Sequence, residues 1–474
     1  MRAGFLSSIL LACTLWPVER VAAQGAPEPR REQLLNGLKV LLVNRQTDPE
    51  VFLKLRVHSG AAFDLAGKEG LMALLGDALF PDPATYQYVK EELGGRLEVT
   101  TDYDALNITL SGRAQEFERL VELLRGALVS TQLTPEVVQR MREARLKIAR
   151  DVNVAPATVA DRAIAARLFG GFPYGRTTTG TPESLARIER ADLLLMKERF
   201  LNPNNATLVA VGGVEPARSL RALRQYLGVW RRSDVEVPST FRQPDAPDAR
   251  TLIVDMAGMP DAEVRLAVRG VARSDRDETA ARVLAVLVRE RWQKNLAELK
   301  GRPVFVEHRA YKLPGVFRMG ASVPSKLAAQ ALQTARATLA SFVAAQPPVE
   351  EFEVARREVL AAVNARAGTT EAWADGWLNQ ETYELHNPDE ARNLNSLTPA
   401  DIQRLAARIF RDTPVVSIAT GDAAELRAEI ARTGEVEILG ASATIPTPTT
   451  PDAARPTSTP APTPKPLTVP VKRP

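Results

Sequence analysis

The chain has 474 residues, 45% apolar and 25% charged, which is globular composition and more chain than one ordinary domain holds. Its 61 basic and 57 acidic residues leave a formal net charge of only +4. Lys and Arg are scattered, with no long basic run and no interleaved aromatics, which argues against a nucleic-acid partner. Cys13 is the single cysteine, so a disulfide framework is excluded and the core must hold the fold.

Residues 1–23 read as a secretory signal. Arg2 supplies the positive start, Ala3 to Trp16 the apolar run, and Val21-Ala22-Ala23 a small-residue cleavage site. Leu10-Leu11-Ala12-Cys13 is a partial lipoprotein box, the alternative, in which Cys13 becomes a lipidated N-terminus. Cleavage after Ala23 is favoured. The expectation is an exported protein, periplasmic or secreted, with no transmembrane segment.

Residues 24–31 read as a loose lead-in. Two β-branched, apolar runs, Leu38 to Val43 and Val51 to Val57, predict strands. Gly70 to Phe80 predicts a short helix, apolar nearly all round and therefore buried. Tyr86 to Leu93 predicts another. Strands follow at Leu97 to Thr101 and Ala105 to Ser111; in the second, Leu106, Ile108 and Leu110 face inward and Asn107, Thr109 and Ser111 outward. Helices are expected at Gln115–Val129, Pro135–Asp151, Thr158–Phe169, Ala191–Phe200 and Pro216–Tyr226, with a strand at Ala206–Val211. Thr134-Pro135-Glu136 is a strong helix start: a capping hydroxyl, Pro at the first helical position and an acid in the first turn.

A Pro-, Ser- and Asp-containing stretch marks a linker at 236–250, between halves at 24–235 and 251–441. The second half predicts strands at Thr251–Val254, Glu263–Val268, Val304–Tyr311, Gly315–Ala321 and Pro414–Thr420. Its helices are expected at Thr279–Glu298, Lys326–Ala344, Val349–Ala367, Pro399–Phe410 and Ala423–Ala431, with an irregular segment near Gly376–His386. It repeats the first half: Ala191-Asp192-Leu193 before Phe200 and the strand Ala206–Val211 is echoed by Ala400-Asp401-Ile402 before Phe410 and the strand at Pro414–Thr420. The fold class is therefore α+β, two homologous halves, each a mostly antiparallel sheet covered by helices. Residues 442–474, rich in Thr and Pro and without aromatics, predict a disordered tail.

Several segments, in order, resemble the insulinase/pitrilysin metallopeptidases. Asn36-Gly37-Leu38-Lys39-Val40 is similar to the family's opening strand, Phe172-Pro173-Tyr174-Gly175 to its H-P-[YL]-G loop without the His, and Gly180-Thr181-Pro182-Glu183-Ser184-Leu185 to its G-T-x-E-S-[LI] loop. Gly70 to Phe80 resembles the helix that carries H-x-x-E-H, where two His hold zinc and the Glu activates water. In this chain those positions read Ala73, Gly76 and Asp77, and the family's third ligand, a Glu, aligns with Ile148.

The resemblance implies homologous halves that clasp a chamber, and an extended peptide added as a strand to a sheet edge. Ala105, Leu106, Asn107, Ile108 and Thr109 are the candidates for that edge. An Arg and a Tyr of the family's second half hold substrate; Arg289 and Arg291 are the candidate arginines, with no Tyr before Tyr311. Zinc is the family cofactor, but the ligands are missing, so no cofactor, no metal site and no catalytic residue are expected. The reading is a silent partner of an active zinc-bearing homologue, on the pattern of the non-catalytic subunit of mitochondrial processing peptidase. A stand-alone peptide-binding protein and an atypical metallopeptidase are the alternatives.

Overall fold

In the first half, strands β1 (Arg30–Gln33), β2 (Lys39–Asn44) and β3 (Glu50–Val57) lead into helices α1 (Leu71–Leu79) and α2 (Pro83–Glu91). Strands β4 (Leu97–Thr101) and β5 (Leu106–Arg113) form a hairpin. Helices α3 (Phe117–Arg125), α4 (Pro135–Val152), α5 (Pro156–Phe169), α6 (Pro182–Ala186) and α7 (Arg190–Phe200) precede β6 (Ala206–Gly212) and α8 (Pro216–Leu227). The second half runs β7 (Thr251–Asp255), β8 (Asp261–Arg269), α9 (Glu278–Asn295), β9 (Val304–Arg309) and β10 (Val316–Pro324). It continues through α10 (Ala328–Ala344), α11 (Val349–Ala367), α12 (Thr370–Tyr383), α13 (Glu390–Ser396) and α14 (Pro399–Phe410) to β11 (Val416–Gly421), α15 (Ala423–Ile430) and β12 (Val436–Leu439). This computed structural model describes residues 27–440 except 153, 154, 236, 238–240, 386–388 and 412. The expected leader, Cys13, His386 and the tail lie outside the described residues.

The repeat is visible in the sheets. Their strand orders are β1-β2-β6-β3-β5-β4 and β12-β7-β11-β8-β10-β9. Five positions correspond one to one, including the parallel pairs β2/β6 and β7/β11. The sixth differs: β1 runs antiparallel to β2, whereas β12 runs parallel to β7. The repeated sequence has a local cause as well. Asp192 and Asp401 each stand at the third position of their helix and accept a backbone N–H from the capping residue, Glu189 and Thr398 respectively.

One face of each sheet carries a core shared with its own helices. The other face is covered by a helix from the opposite half. Helix α5 lays Ala160, Ala163, Ile164 and Leu168 on Leu252, Val254, Val416 and Ile418 of the second sheet. Helix α12 lays Ala374, Trp377 and Leu378 on Leu41, Phe52, Val209 and Val211 of the first. Both helices have 14 residues, and each puts an Asp at its sixth position onto two cations of the sheet below. Asp161 pairs with Arg265 at 2.7 Å and Arg318 at 3.2 Å. Asp375 pairs with Lys54 at 2.6 Å and Arg56 at 3.3 Å.

Three expectations are corrected. The lead-in at 24–31 ends in a strand, β1, because the open edge of β2 needs only backbone partners, and the side chains of β1 stay mostly exposed. The part of the segment near Gly376–His386 up to Tyr383 is not irregular but helical: Thr369 caps α12, and the apolar triplet Ala374, Trp377, Leu378 has helical spacing. Ala105 to Ser111 is not at an edge, since β5 lies between β3 and β4.

Candidate functional site

The N-terminus of α1 is set by two glycines and a buried acid. Gly70 takes a positive φ of 88° and Gly180 one of 83°, and a Cβ on Gly70 would stand 2.8 Å from the Gly180 backbone; only glycine allows that approach. The Gly180–Leu185 loop is fixed by a capping box between Thr181 and Ser184, and the Ser184 hydroxyl donates to the Glu69 carbonyl at 2.8 Å. The Asp64 carboxylate accepts the amides of Gly70 at 2.7 Å and Met72 at 2.8 Å. Burial pushes its pKa up to about 7, against those amides and Arg176.

Helix α1 then presents Ala73, Gly76 and Asp77. Ala73 and Gly76 offer no donor atom. A Cβ on Gly76 would lie 3.1 Å from Val99 Cγ1 and 3.3 Å from Leu106 Cδ1, so α1 sits close on the β4–β5 hairpin and any side chain here must push these atoms back by a few tenths of an ångström. Asp77 is held by Arg145 of α4 in a two-pronged ion pair, Nε to Oδ2 at 2.6 Å and Nη2 to Oδ1 at 2.7 Å, and Nη2 also reaches the Ala73 carbonyl at 3.2 Å. Thus one guanidinium bonds the carboxylate at the second His position and the backbone at the first. Ile148, one turn further along α4, is 63% exposed and carries no ligand atom. Among the described residues no group of three His, Cys, Asp or Glu side chains is placed to hold a metal ion. These residues do not fit zinc: a cation already satisfies the only carboxylate.

The other candidates lie apart. Leu106 and Ile108 face the first core. Asn107 is buried, accepting from Arg56 Nε at 2.7 Å, because α12 covers the face that looked outward in the sequence. The edges of this sheet are β1 and β4, and β4 is the one next to β5. Arg289 and Arg291 are on α9 in the second half, where Arg289 pairs with Glu358 at 2.9 Å and Arg291 with Glu351 at 2.7 Å. Arg291 also lies 3.9 Å from the Phe342 ring centroid. Both are spent on helix packing, and neither is brought to α1. Tyr311 is a half-buried interface group: its ring centroid is 4.6 Å from Tyr174 and 5.0 Å from Tyr103. Asp104 joins the halves there, accepting from the Tyr174 hydroxyl at 3.1 Å and the Lys312 amide at 2.8 Å, with its pKa raised to about 6, chiefly by burial.

The model of the insulinase (Peptidase family M16) domain matches residues 39–182, and that of the Peptidase M16 inactive domain matches residues 187–359. This chain belongs to the insulinase family, M16. The bovine (Bos taurus) mitochondrial cytochrome b-c1 complex subunit 1 is 22% identical over 274 residues, 56% of each chain. A probable mitochondrial-processing peptidase subunit beta of Arabidopsis thaliana is 22% identical over 282 residues, 57% of this chain and 52% of that one. The chain thus matches about half the length of these curated M16 relatives, which by name are subunits of larger assemblies. Among solved structures, a protease from Helicobacter pylori superposes with a TM-score of 0.76 at 17% identity, covering 83% of this chain and all of the other. A peptidase M16 inactive domain from Pseudomonas fluorescens gives 0.74 at 18%, covering 84% and 99%. These structures share the M16 fold seen here. No helix among the described residues is long and apolar enough to cross a membrane.

Sequence reasoning missed Arg145, the residue that completes the altered site. It lies three residues before Ile148, on the helix face that the resemblance turns toward Asp77, but no motif marks it among the other basic residues of that helix.

Proposed function

We propose that this chain is a non-catalytic M16 protein of the cell envelope that partners a zinc-bearing homologue in peptide proteolysis. The Asp77–Arg145 pair carries the reading, because it puts a bonded cation where the family's chemistry needs a second cation bound. The chain would contribute surface to a chamber whose metal sits on the partner. The exposed apolar side chains Ile148 and Val152 continue along α4 on the side of Arg145, a place for such a partner to cover. The export expected from residues 1–23 puts the assembly outside the cytoplasm.

The test is the metal content of the purified full chain, with peptide cleavage on the same sample, then mixing with zinc-bearing M16 homologues from the same cell. No zinc, no cleavage and a complex with a homologue are expected. Chelator-sensitive cleavage that disappears in Asp77→Ala would establish an atypical metallopeptidase instead. A chain that stays monomeric beside every such homologue would sink the partnership.

The free edge of β4 favours a second reading, a stand-alone peptide-binding protein. Its Glu98 and Thr100 side chains point away from the core, and its outer backbone groups are open to an added strand. Extended-peptide affinity in the isolated chain, lost when proline replaces Val99, whose N–H lies on the outer side of the β4–β5 register, would support it.

A further inference from the structure

A cavity of about 910 Å³ lies between the two halves, away from the altered α1–α4 site. Its wall is a run of five phenylalanine rings. Phe63 stands 4.9 Å from Phe200 and 5.3 Å from Phe241; Phe172 stands 6.0 Å from Phe241 and from Phe169. Leu252 and Leu439 of the second half complete the apolar lining. A volume in the usual range for small-molecule pockets, roughly 300–1,000 Å³, lined by aromatics with a few convergent polar groups, is the common form of a ligand site.

The charges in this wall are not all matched. Arg167 is answered by Asp248 at 3.0 Å and Glu437 at 2.8 Å, and Arg242 by Asp245 at 3.6 Å. Arg176 gives two N–H groups to the carbonyls of Asp64 and Gly171, each at 3.1 Å. Arg199 lies over the Phe200 ring, 5.3 Å from its centroid. Neither Arg176 nor Arg199 forms an ion pair with a carboxylate among the described residues, and the Nε of each is buried without an acceptor. Asp64, the remaining acid of the wall, has its oxygens on the amides of Gly70 and Met72. Both residues are half-buried, and a partly desolvated guanidinium that has no full ion pair gains when an anion joins it.

We propose that the cavity binds a small amphipathic carboxylate, an aliphatic chain of roughly eight to twelve carbons among the phenylalanines with its head group on Arg199 and Arg176. Planar guanidinium groups suit a carboxylate, and the rings suit an unbranched tail. The site does not depend on whether the chain cleaves peptides or has a partner.

Calorimetric titration of the full chain with decanoate, and with decanol as the neutral comparator, tests this. Decanoate should bind, and decanol about tenfold or more weakly, the loss of one charge-assisted pair. Arg199→Met should bring decanoate down to the decanol level, Arg199→Lys should keep part of the preference, and neither should lower the melting temperature of the unliganded chain. Ala166→Trp, which fills the cavity from α5, should abolish both ligands. The proposal is overturned if decanoate gives no saturable heat, if decanol binds as well, or if Arg199→Met or Ala166→Trp leaves decanoate binding intact.

Discussion

At the scale of single residues, the altered site is held by complementary losses and gains. Removing Arg145 by Arg145→Ala leaves Asp77 without its partner. The pair is part-exposed, so the cost should be about 1–2 kcal/mol in denaturant unfolding, and Asp77→Ala should cost about the same without any dependence on added zinc. Restoring the glutamate alone goes against the packing. In Gly76→Glu the new side chain meets Val99 and Leu106, and a loss of roughly 1–3 kcal/mol is expected. A variant as stable as the parent would show that α1 can move off the hairpin. His58 makes a pH-dependent case. The Thr382 hydroxyl donates to the Leu378 carbonyl at 2.7 Å, so it accepts from His58 Nδ1 at 3.1 Å, and Nε2 accepts from the Thr207 hydroxyl at 2.9 Å. The network assigns this neutral tautomer. Burial, then Arg56, Lys39 and Lys312, lower its pKa from 6.5 to about 4, with Glu381 opposing. The unfolded chain therefore binds the proton first, and the contribution of His58 is full above 6.5 and lost as pH falls to about 4, by about 1.4 kcal/mol per unit at most. Asp64 and Asp104, both raised, act in the opposite sense over the same interval. The signature is thus the difference between parent and His58→Gln, which should shrink on acidification; a constant difference would contradict it.

At the scale of elements, α5 and α12 are the pieces that decide the architecture. Their ion pairs secure each to a sheet belonging to the other half. Asp375→Ala strips the carboxylate from Lys54 and Arg56, whose side chains are 10% and 8% exposed. Because Asp375 itself is 36% exposed, about 2–3 kcal/mol is expected, short of the cost for a fully buried pair. Asp161→Ala should behave alike, and chemical denaturation of both variants checks it. These helices also show what the sequence could and could not reveal. Strands β2, β3 and β6 were legible because runs such as Val40 to Val43 and Leu208 to Val211 are apolar and β-branched. The same runs hid a fact: they are apolar on both faces because both are covered. The outward Asn107 and Thr109 looked like a solvent face, since nothing local to β5 announces a helix arriving from more than 260 residues away. Helix α12 itself was unreadable as a helix, because its interior Gly376 and sparse apolar triplet carry a weak periodic signal. The loss of donors at Ala73 and Gly76 was plain in the sequence. The gain of Arg145 was not, because a lone basic residue on a charged helix ordinarily marks a solvated face.

At the scale of the whole molecule, the exchange of α5 and α12 makes the halves interdependent. Without α12 the first sheet would expose Leu41, Phe52, Val209 and Val211; without α5 the second would expose Leu252, Val254, Val416 and Ile418. Calorimetry of the described core should therefore show one cooperative transition, although each half has its own internal core. Two separable transitions would mean that the exchanged helices contribute little. The exchange has a topological consequence too. The only covalent bridge between the halves runs from α8 to β7, yet each side keeps a helix inside the territory of the other. A protease that cuts this bridge should produce two polypeptides on a denaturing gel that still travel as one particle in a sizing column, clasped like two hands with interlaced fingers.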